Sequence, residues 1–367
     1  MESFIATPGR RRGRSAGRRR LRVAVPVSLA RLPPRTGHGR VWRRLLAGLT
    51  ERVALELVEW HPSYARVKAD VWLTDGHSGA LNVEAPVVAA IHEVGWMTRE
   101  LRGYLDPDFA RMFGANTLAG VLAAAHVLTP SEWSRGQVLD AYGVRGDRVH
   151  TVPYGVDVAV FRPDVSGGRA LVAAVTEAKD PRYVLFVGTL HPRKNLAAVR
   201  HAVARLARRG FPQLLVLATA DAPDRDDSSR LRRRAEAELP GAPGRIVSIP
   251  GGEDAQLAAL MADADAVCQP SFSEGFGLTP LEAMACGTPV IVSDRGSLPE
   301  VVEGAGLIVT PTTEAVERAL ARILSDAALS ARLAADGRRR AEGFTWQRTL
   351  DGWLRVLERA AEDARQR

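Results

Sequence analysis

Short apolar runs alternate with helix-length stretches twice along this chain, and that alternation leaves few architectures open. In the first half, runs at 21–29, 53–58, 71–74, 87–91, 125–129 and 149–152 read as strands, with helices expected at 40–49 and 108–124. A stretch at 163–168 carrying a proline and two glycines reads as a linker. The pattern then resumes, with strands at 183–188, 214–218, 246–249, 266–269, 289–292 and 307–309. Helices are expected at 195–209, 229–238, 254–261, 314–325, 328–342 and 346–361. Two doubly wound α/β domains with a cleft between them follow from this order. The expected division is a basic disordered tail at 1–20, an N-terminal domain at 21–165, a C-terminal domain at 166–343 and a last helix at 344–367. In that helix Trp346, Leu350, Trp353, Leu354 and Leu357 recur at helical spacing, so it must dock on something apolar.

A chain of 367 residues accommodates two such domains, and 46% hydrophobic with 25% charged residues describes a globular protein. No run reaches the roughly 18 apolar residues of a membrane span. The net charge of +8 would suggest nucleic acid, but seven arginines and Glu2 within residues 1–20 account for +6 of it. No nucleic-acid partner is expected. The tail lacks an apolar core and so does not read as a secretory signal; it reads as a disordered arm, with peripheral attachment to an anionic membrane as a further expectation. Cys268 and Cys286 are too few for a disulfide framework and sit among apolar neighbours, which fits a reducing, cytoplasmic compartment.

The chemistry concentrates at 270–299, where Glu274 and Glu282 flank Gly275, Gly277 and a helix start. Thr279 is the expected N-cap, Pro280 the first helical residue, and Glu282 the partner closing a capping box. A Gly-rich loop entering a helix offers free backbone N–H groups to an anion. Arg193 and Lys194 follow the strand at 183–188, where ligands of open parallel sheets bind, and can stabilise a departing diphosphate. Lys194 is one of only three lysines among 50 basic residues. His92 closes the strand at 87–91, and His77 is a weaker candidate. The dinucleotide fingerprint fails twice: Trp42 stands third after Gly37 and Gly39, and Pro280 third after Gly275 and Gly277. The pairs Asp224/Asp226 and Asp263/Asp265 match a metal-site spacing by chance, and no bound metal or cofactor is expected.

Taken together, Glu274-Gly-Phe-Gly-Leu-Thr-Pro-Leu-Glu282, Gly188-Thr-Leu-His-Pro-Arg193-Lys194-Asn195, Ser297-Leu-Pro-Glu300-Val, Phe344-Thr-Trp, Pro34-Arg-Thr-Gly37-His-Gly39-Arg, Thr129-Pro-Ser-Glu-Trp-Ser and Val152-Pro-Tyr-Gly-Val-Asp157 resemble the retaining nucleotide-sugar glycosyltransferases of family four. The resemblance runs over about 21–360. It implies the GT-B fold, two Rossmann-like domains with the last helix crossing back to the first. It also implies that Glu282 holds the donor ribose, that Glu274 faces the sugar hydroxyls, and that the amides of Phe276, Gly277 and Leu278 lie along sugar and diphosphate. Arg193 and Lys194 would steady the leaving group in place of a metal, Gly37 and Gly39 would admit the phosphates, and His92 would sit beside the transferred sugar. The Gly188–Asn195 motif is closest to the mannosyltransferase branch, so GDP-mannose is the expected donor, with UDP-hexose as runner-up. The acceptor would be a glycan, lipid-linked or small-molecule hydroxyl. A UDP-sugar epimerase and an inactive donor-binding subunit are the competing readings. Glu93 where relatives carry Asp, His191 where many carry Glu, and a short first domain between Leu57 and Val71 are the departures.

Overall fold

The computed structural model describes residues 19–34, 36–59, 67–93, 107–176, 178–219, 245–251 and 253–366. The expected helix at 229–238, Asp224/Asp226 and most of the basic tail lie outside the described residues.

Two six-stranded parallel sheets form the frame. The first, ordered β2-β1-β3-β4-β5-β6, is built from β1 (Arg22–Pro26), β2 (Ala54–Val58), β3 (Val71–Asp75), β4 (Val87–Ala90), β5 (His126–Thr129) and β6 (Val149–Thr151). The second, ordered β12-β11-β10-β7-β8-β9, contains β7 (Tyr183–Val187), β8 (Leu214–Thr219), β9 (Ile246–Pro250), β10 (Ala266–Gln269), β11 (Val290–Ser293) and β12 (Leu307–Val309). Helices cover the faces of both sheets, so their central strands are apolar throughout: β3, β4, β7, β10 and β11 are buried at every residue. In each sheet the strand order reverses once, between β1 and β3 and between β7 and β10. The crevice at such a reversal is where open α/β sheets bind ligands.

Several helices depart from the sequence expectation. Gly37–Thr50 begins three residues early because Thr36 Oγ1 accepts from Gly39 N at 3.0 Å, drawing both glycines into the first turn. Glu132–Tyr142 has almost no amphipathic signal, burying only Ser134 and Val138; Ser131 caps it and Gly143, at φ 61°, ends it. The stretch read as a linker at 163–168 ends in another helix, Gly168–Thr176.

The last helix, Trp346–Arg365, packs on Gly37–Thr50 and across β3, β4 and β5. Its buried Trp353 meets Trp42 edge-on at 5.8 Å and 89°. The crossing is pinned by a parallel bridge between Val156 and Thr345 and by Thr349 Oγ1 donating to the Pro153 carbonyl at 2.8 Å. The chain's end therefore completes the core of its beginning. Trp353→Ala is expected to cost about 3–5 kcal/mol in urea unfolding, the usual range for a large buried aromatic; a loss below about 1 kcal/mol would contradict this docking.

Candidate active site

A cleft of about 440 Å³ lies between the C-terminal ends of the two sheets. Gly188, Arg193, Lys194, Gln269 and the residues from Glu274 to Pro280 wall it on one side; Gly37, His38, Asp75, His77, His92, Glu93 and Tyr154 face them. The expected residues His92, Arg193, Lys194, Glu274, Gly37, Phe276, Gly277 and Leu278 thus share one cavity. Gly39 and Glu282 do not line it.

Glu274 is the centre of the second-domain wall. Its Oε1 takes Lys194 Nζ at 2.8 Å, Ser271 Oγ at 2.7 Å and Gln269 Nε2 at 2.9 Å, and its Oε2 takes Arg193 Nη1 at 2.9 Å. Burial alone would raise this carboxyl's pKa. Arg193, Lys194 and the Ser271 hydroxyl outweigh burial and hold it well below the usual carboxylate range. Burial lowers Arg193 in turn, but Glu274 and Glu93 more than restore it. Glu274 is buried, and the half-buried Arg193 and Lys194 both pair with it, so the three expected residues form one cluster. The turn Pro192–Lys194 is shaped by His191, whose Nδ1 accepts from Arg193 N at 3.1 Å. Asn195, left-handed at φ 53°, ties that turn to the Pro270 and Pro311 carbonyls at 3.1 and 2.9 Å.

The expected capping box is not formed. The helix starts at Leu278 with Gly277 as its N-cap at φ 103°, placing Thr279 and Pro280 inside the first turn, and no side chain caps it. A left-handed glycine turns the chain into the helix two residues before Thr279 could. Gly275 is where the halves meet. A Cβ there would strike the His92 carbonyl, while Ser131 and Ser134 donate their hydroxyls to the Gly275 carbonyl at 2.7 and 2.9 Å. Glu300 of the Ser297–Val301 motif accepts from Glu132 N and Trp133 N at 3.0 and 3.2 Å, capping a helix of the other domain. Ser297 Oγ donates to the Glu274 carbonyl at 2.9 Å.

Relieved of a capping role, Glu282 pairs with Arg40, which also reaches Asp254 at 2.8 Å. Burial raises the Glu282 pKa, with Asp254 adding to it and Arg40 opposing it. Gly37 stands at the cleft, whereas Gly39 is packed behind it against Pro33.

The first-domain wall holds a group that the sequence did not connect. His38 Nε2 lies 2.8 Å from Asp75 Oδ2 and 3.0 Å from the indole nitrogen of Trp42. Donor atoms of His38, Asp75 and His92 lie within 4.8 Å of one another, the one metal-sized grouping among the described residues. Burial raises the Asp75 carboxyl, and the His38 hydrogen bond with the neighbouring histidines overrides it, holding it well below its usual range. His77 is set back: it stacks on Phe113 at 4.5 Å and contacts Thr117 Oγ1 at 2.9 Å. Asp263 accepts from Arg169 N at 3.1 Å, and Asp265 holds Arg182 at 2.6 Å, so both serve the scaffold. Sequence reading missed His38, Arg40, Asp75, Ser131 and Tyr154; Asp75 immediately after an apolar strand, at its carboxyl end, was the one available signal.

Residues 170–340 match the family described as Glycosyl transferases group 1. The chain is 32% identical over 287 residues to the MMP alpha-(1->4)-mannosyltransferase of Mycolicibacterium hassiacum, covering 75% of this chain and 66% of that protein. It is 31% identical over 313 residues to a D-inositol 3-phosphate glycosyltransferase of Salinispora arenicola, covering 81% and 69% respectively. The chain thus spans about two thirds of the length of these curated relatives. Among solved structures, sucrose-phosphate synthase from Thermosynechococcus elongatus superposes with a TM-score of 0.67 at 23% identity, covering 81% of this chain and 75% of that one. Anabaena HepE in complex with UDP and glucose gives 0.67 at 16% identity, covering 92% and 99%. These likenesses carry the two-domain fold.

The Glu274 cluster makes stability depend on acid in a set direction. The folded state holds this carboxyl below its ordinary 4.5, so its contribution is complete above that pH and is lost as pH falls through the lowered folded value. Glu274→Gln is expected to cost about 3 kcal/mol at neutral pH by removing the carboxylate shared by Lys194 and Arg193, of which Arg193 alone retains a second, Glu93. Its urea stability should also fall less steeply than that of wild type from about pH 5 to about pH 3; parallel pH profiles would contradict the cluster.

Proposed function

This chain belongs to the Glycosyl transferases group 1 family, and from that premise we propose that it is a retaining, metal-independent hexosyltransferase that moves mannose from GDP-mannose to a hydroxyl of a glycan or lipid-linked acceptor. The observation that carries this reading is the Arg193–Lys194–Glu274 cluster facing His92 across one cleft. A diphosphate gains negative charge as it leaves, and two half-buried cations already fixed by a carboxylate stabilise that charge without reorganisation. They supply what a metal would otherwise supply.

Glu274 has both oxygens committed to Arg193, Lys194, Ser271 and Gln269, which makes it a poor nucleophile. Retention is therefore read as front-face attack. The acceptor oxygen bonds to the anomeric carbon on the face from which the diphosphate departs, and the acceptor proton passes to the departing phosphate oxygen. The amides from Phe276 to Leu278 lie along the same wall, and Glu282, set behind it, would act on the donor only through its partner Arg40, which does line the cleft. The mannosyltransferase relative and the Gly188–Asn195 motif support mannose as the transferred sugar. No helix among the described residues is long and apolar enough to cross a membrane. Exposed Phe109, Met112 and Leu122 on the helix Pro107–Ala123 support work on a lipid-linked acceptor at a membrane surface.

A thermal-shift panel of GDP, UDP, ADP and their sugars tests the donor. GDP-mannose at about a hundred times its Kd should stabilise the protein by about 2.7 kcal/mol. A response to UDP alone would replace the donor, and a response to none would remove the reading. Product from a transfer assay should keep the donor's anomeric configuration, and excess EDTA should leave the rate unchanged; an inverted product or loss of activity in EDTA would contradict the mechanism.

A further inference from the structure

Tyr154 and His92 share a hydrogen bond between the phenol oxygen and ring Nδ1, and its direction decides what His92 can do. Tyr154 is 5% exposed, and His92 is its only hydrogen-bond partner among the described residues. Nε2 of His92 is buried and has no partner among the described residues. Burial also pushes the imidazole pKa well below its ordinary value, so the ring is neutral and carries one proton.

Two arrangements are then open. If Nδ1–H donated to Tyr154, the phenol proton would have no acceptor and Nε2 would be a buried bare lone pair, leaving two groups unsatisfied. If the phenol donates to Nδ1, a single group remains, the Nε2–H of a residue that lines the cleft. Buried polar groups without partners are costly, so the second arrangement wins. We propose that Tyr154 is a positioning residue whose O–H fixes His92 in the Nε2-protonated tautomer, so that His92 offers a hydrogen-bond donor, and not a base, to a sugar oxygen in the cleft. The sugar part of this inference rests on the proposed transferase reading; the tautomer part does not.

The surroundings hold Tyr154 for this task. Its ring lies 5.2 Å from Phe276, edge-on, and 6.3 Å from Trp346, stacked. Phe276 belongs to the loop after Glu274, and Trp346 opens the helix that crosses back to the first domain. His92 is itself confined by His38 at 4.4 Å and Trp42 at 5.6 Å between ring centroids. The phenol thus links the sugar-facing histidine to the point where the two domains and the last helix meet. A change in packing there would be felt at Nε2.

The direct test is the imidazole 15N spectrum of the full-length labelled protein at about pH 7, with the His92 signals assigned by their loss in His92→Gln. Wild type should show a neutral ring protonated on Nε2; a ring protonated on Nδ1, or on both nitrogens, would overturn the proposal. Tyr154→Phe keeps the ring packing and removes only the hydroxyl. It should shift His92 into exchange between tautomers and lower kcat roughly tenfold, while the donor KM changes less than about twofold. An unchanged spectrum in Tyr154→Phe would also overturn it. The spectrum needs no turnover, so an Nε2-protonated ring in a protein that transfers no sugar would uphold the tautomer and sink the transferase reading instead.

Discussion

Glu274 lies buried in the loop that follows β10, with Lys194 on one oxygen and Arg193 on the other, and the geometry of the cleft follows from that arrangement. Burying a carboxylate costs several kcal/mol, which the protein offsets with two cations and two further hydrogen bonds from Ser271 and Gln269. In return the cations lose their freedom. Their position is set by the turn Pro192–Lys194 and the left-handed Asn195, both at the end of β7, the strand beside β10 at the order reversal. On the proposed function, a diphosphate arriving there would meet charge that is already in place.

The same loop joins the two halves. Gly275 follows Glu274 directly, receives Ser131 and Ser134 on its carbonyl, and leaves room for the His92 carbonyl only because it lacks a side chain. Glu93 adds a contact to Arg193 at 3.3 Å, and Arg40 spans to Glu282 and Asp254. Each domain therefore completes groups that the other cannot satisfy alone, which keeps His92 opposite the cations. The aromatic cluster of Tyr154, Phe276, Phe344 and Trp346 supports the same junction from behind.

Much of this was legible in the residues because it depends on local rules. Parallel strands buried on both faces must be apolar runs, and the expected strands match the observed ones within a residue or so, apart from β1, whose expected run continued past Pro26 into a short turn of helix. Glu274, Arg193, Lys194 and His92 were visible because sheet topology assigns ligands to strand ends. What stayed hidden depends on distance in sequence. Arg40 and Glu282 are 242 positions apart, and nothing local marks them as partners. His38, Asp75 and His92 converge from separate elements in the same way. The capping box failed for a different reason: Thr279 and Glu282 have the right spacing, but Gly277 reaches a backbone conformation that starts the helix earlier. Glu132–Tyr142 was missed because it hides only two side chains, and its place is set by Glu300 of the other domain.

If the buried carboxylate fixes Lys194 and Arg193 as the seat of a diphosphate, a nucleoside diphosphate must lose affinity when either cation is removed. Calorimetric titration of GDP into wild type and Lys194→Met, at a temperature where both are folded, tests it most directly. Removing one half-buried cation from a bound phosphate should weaken binding by roughly a hundredfold. A Kd within about twofold of wild type would place the diphosphate elsewhere and contradict the account.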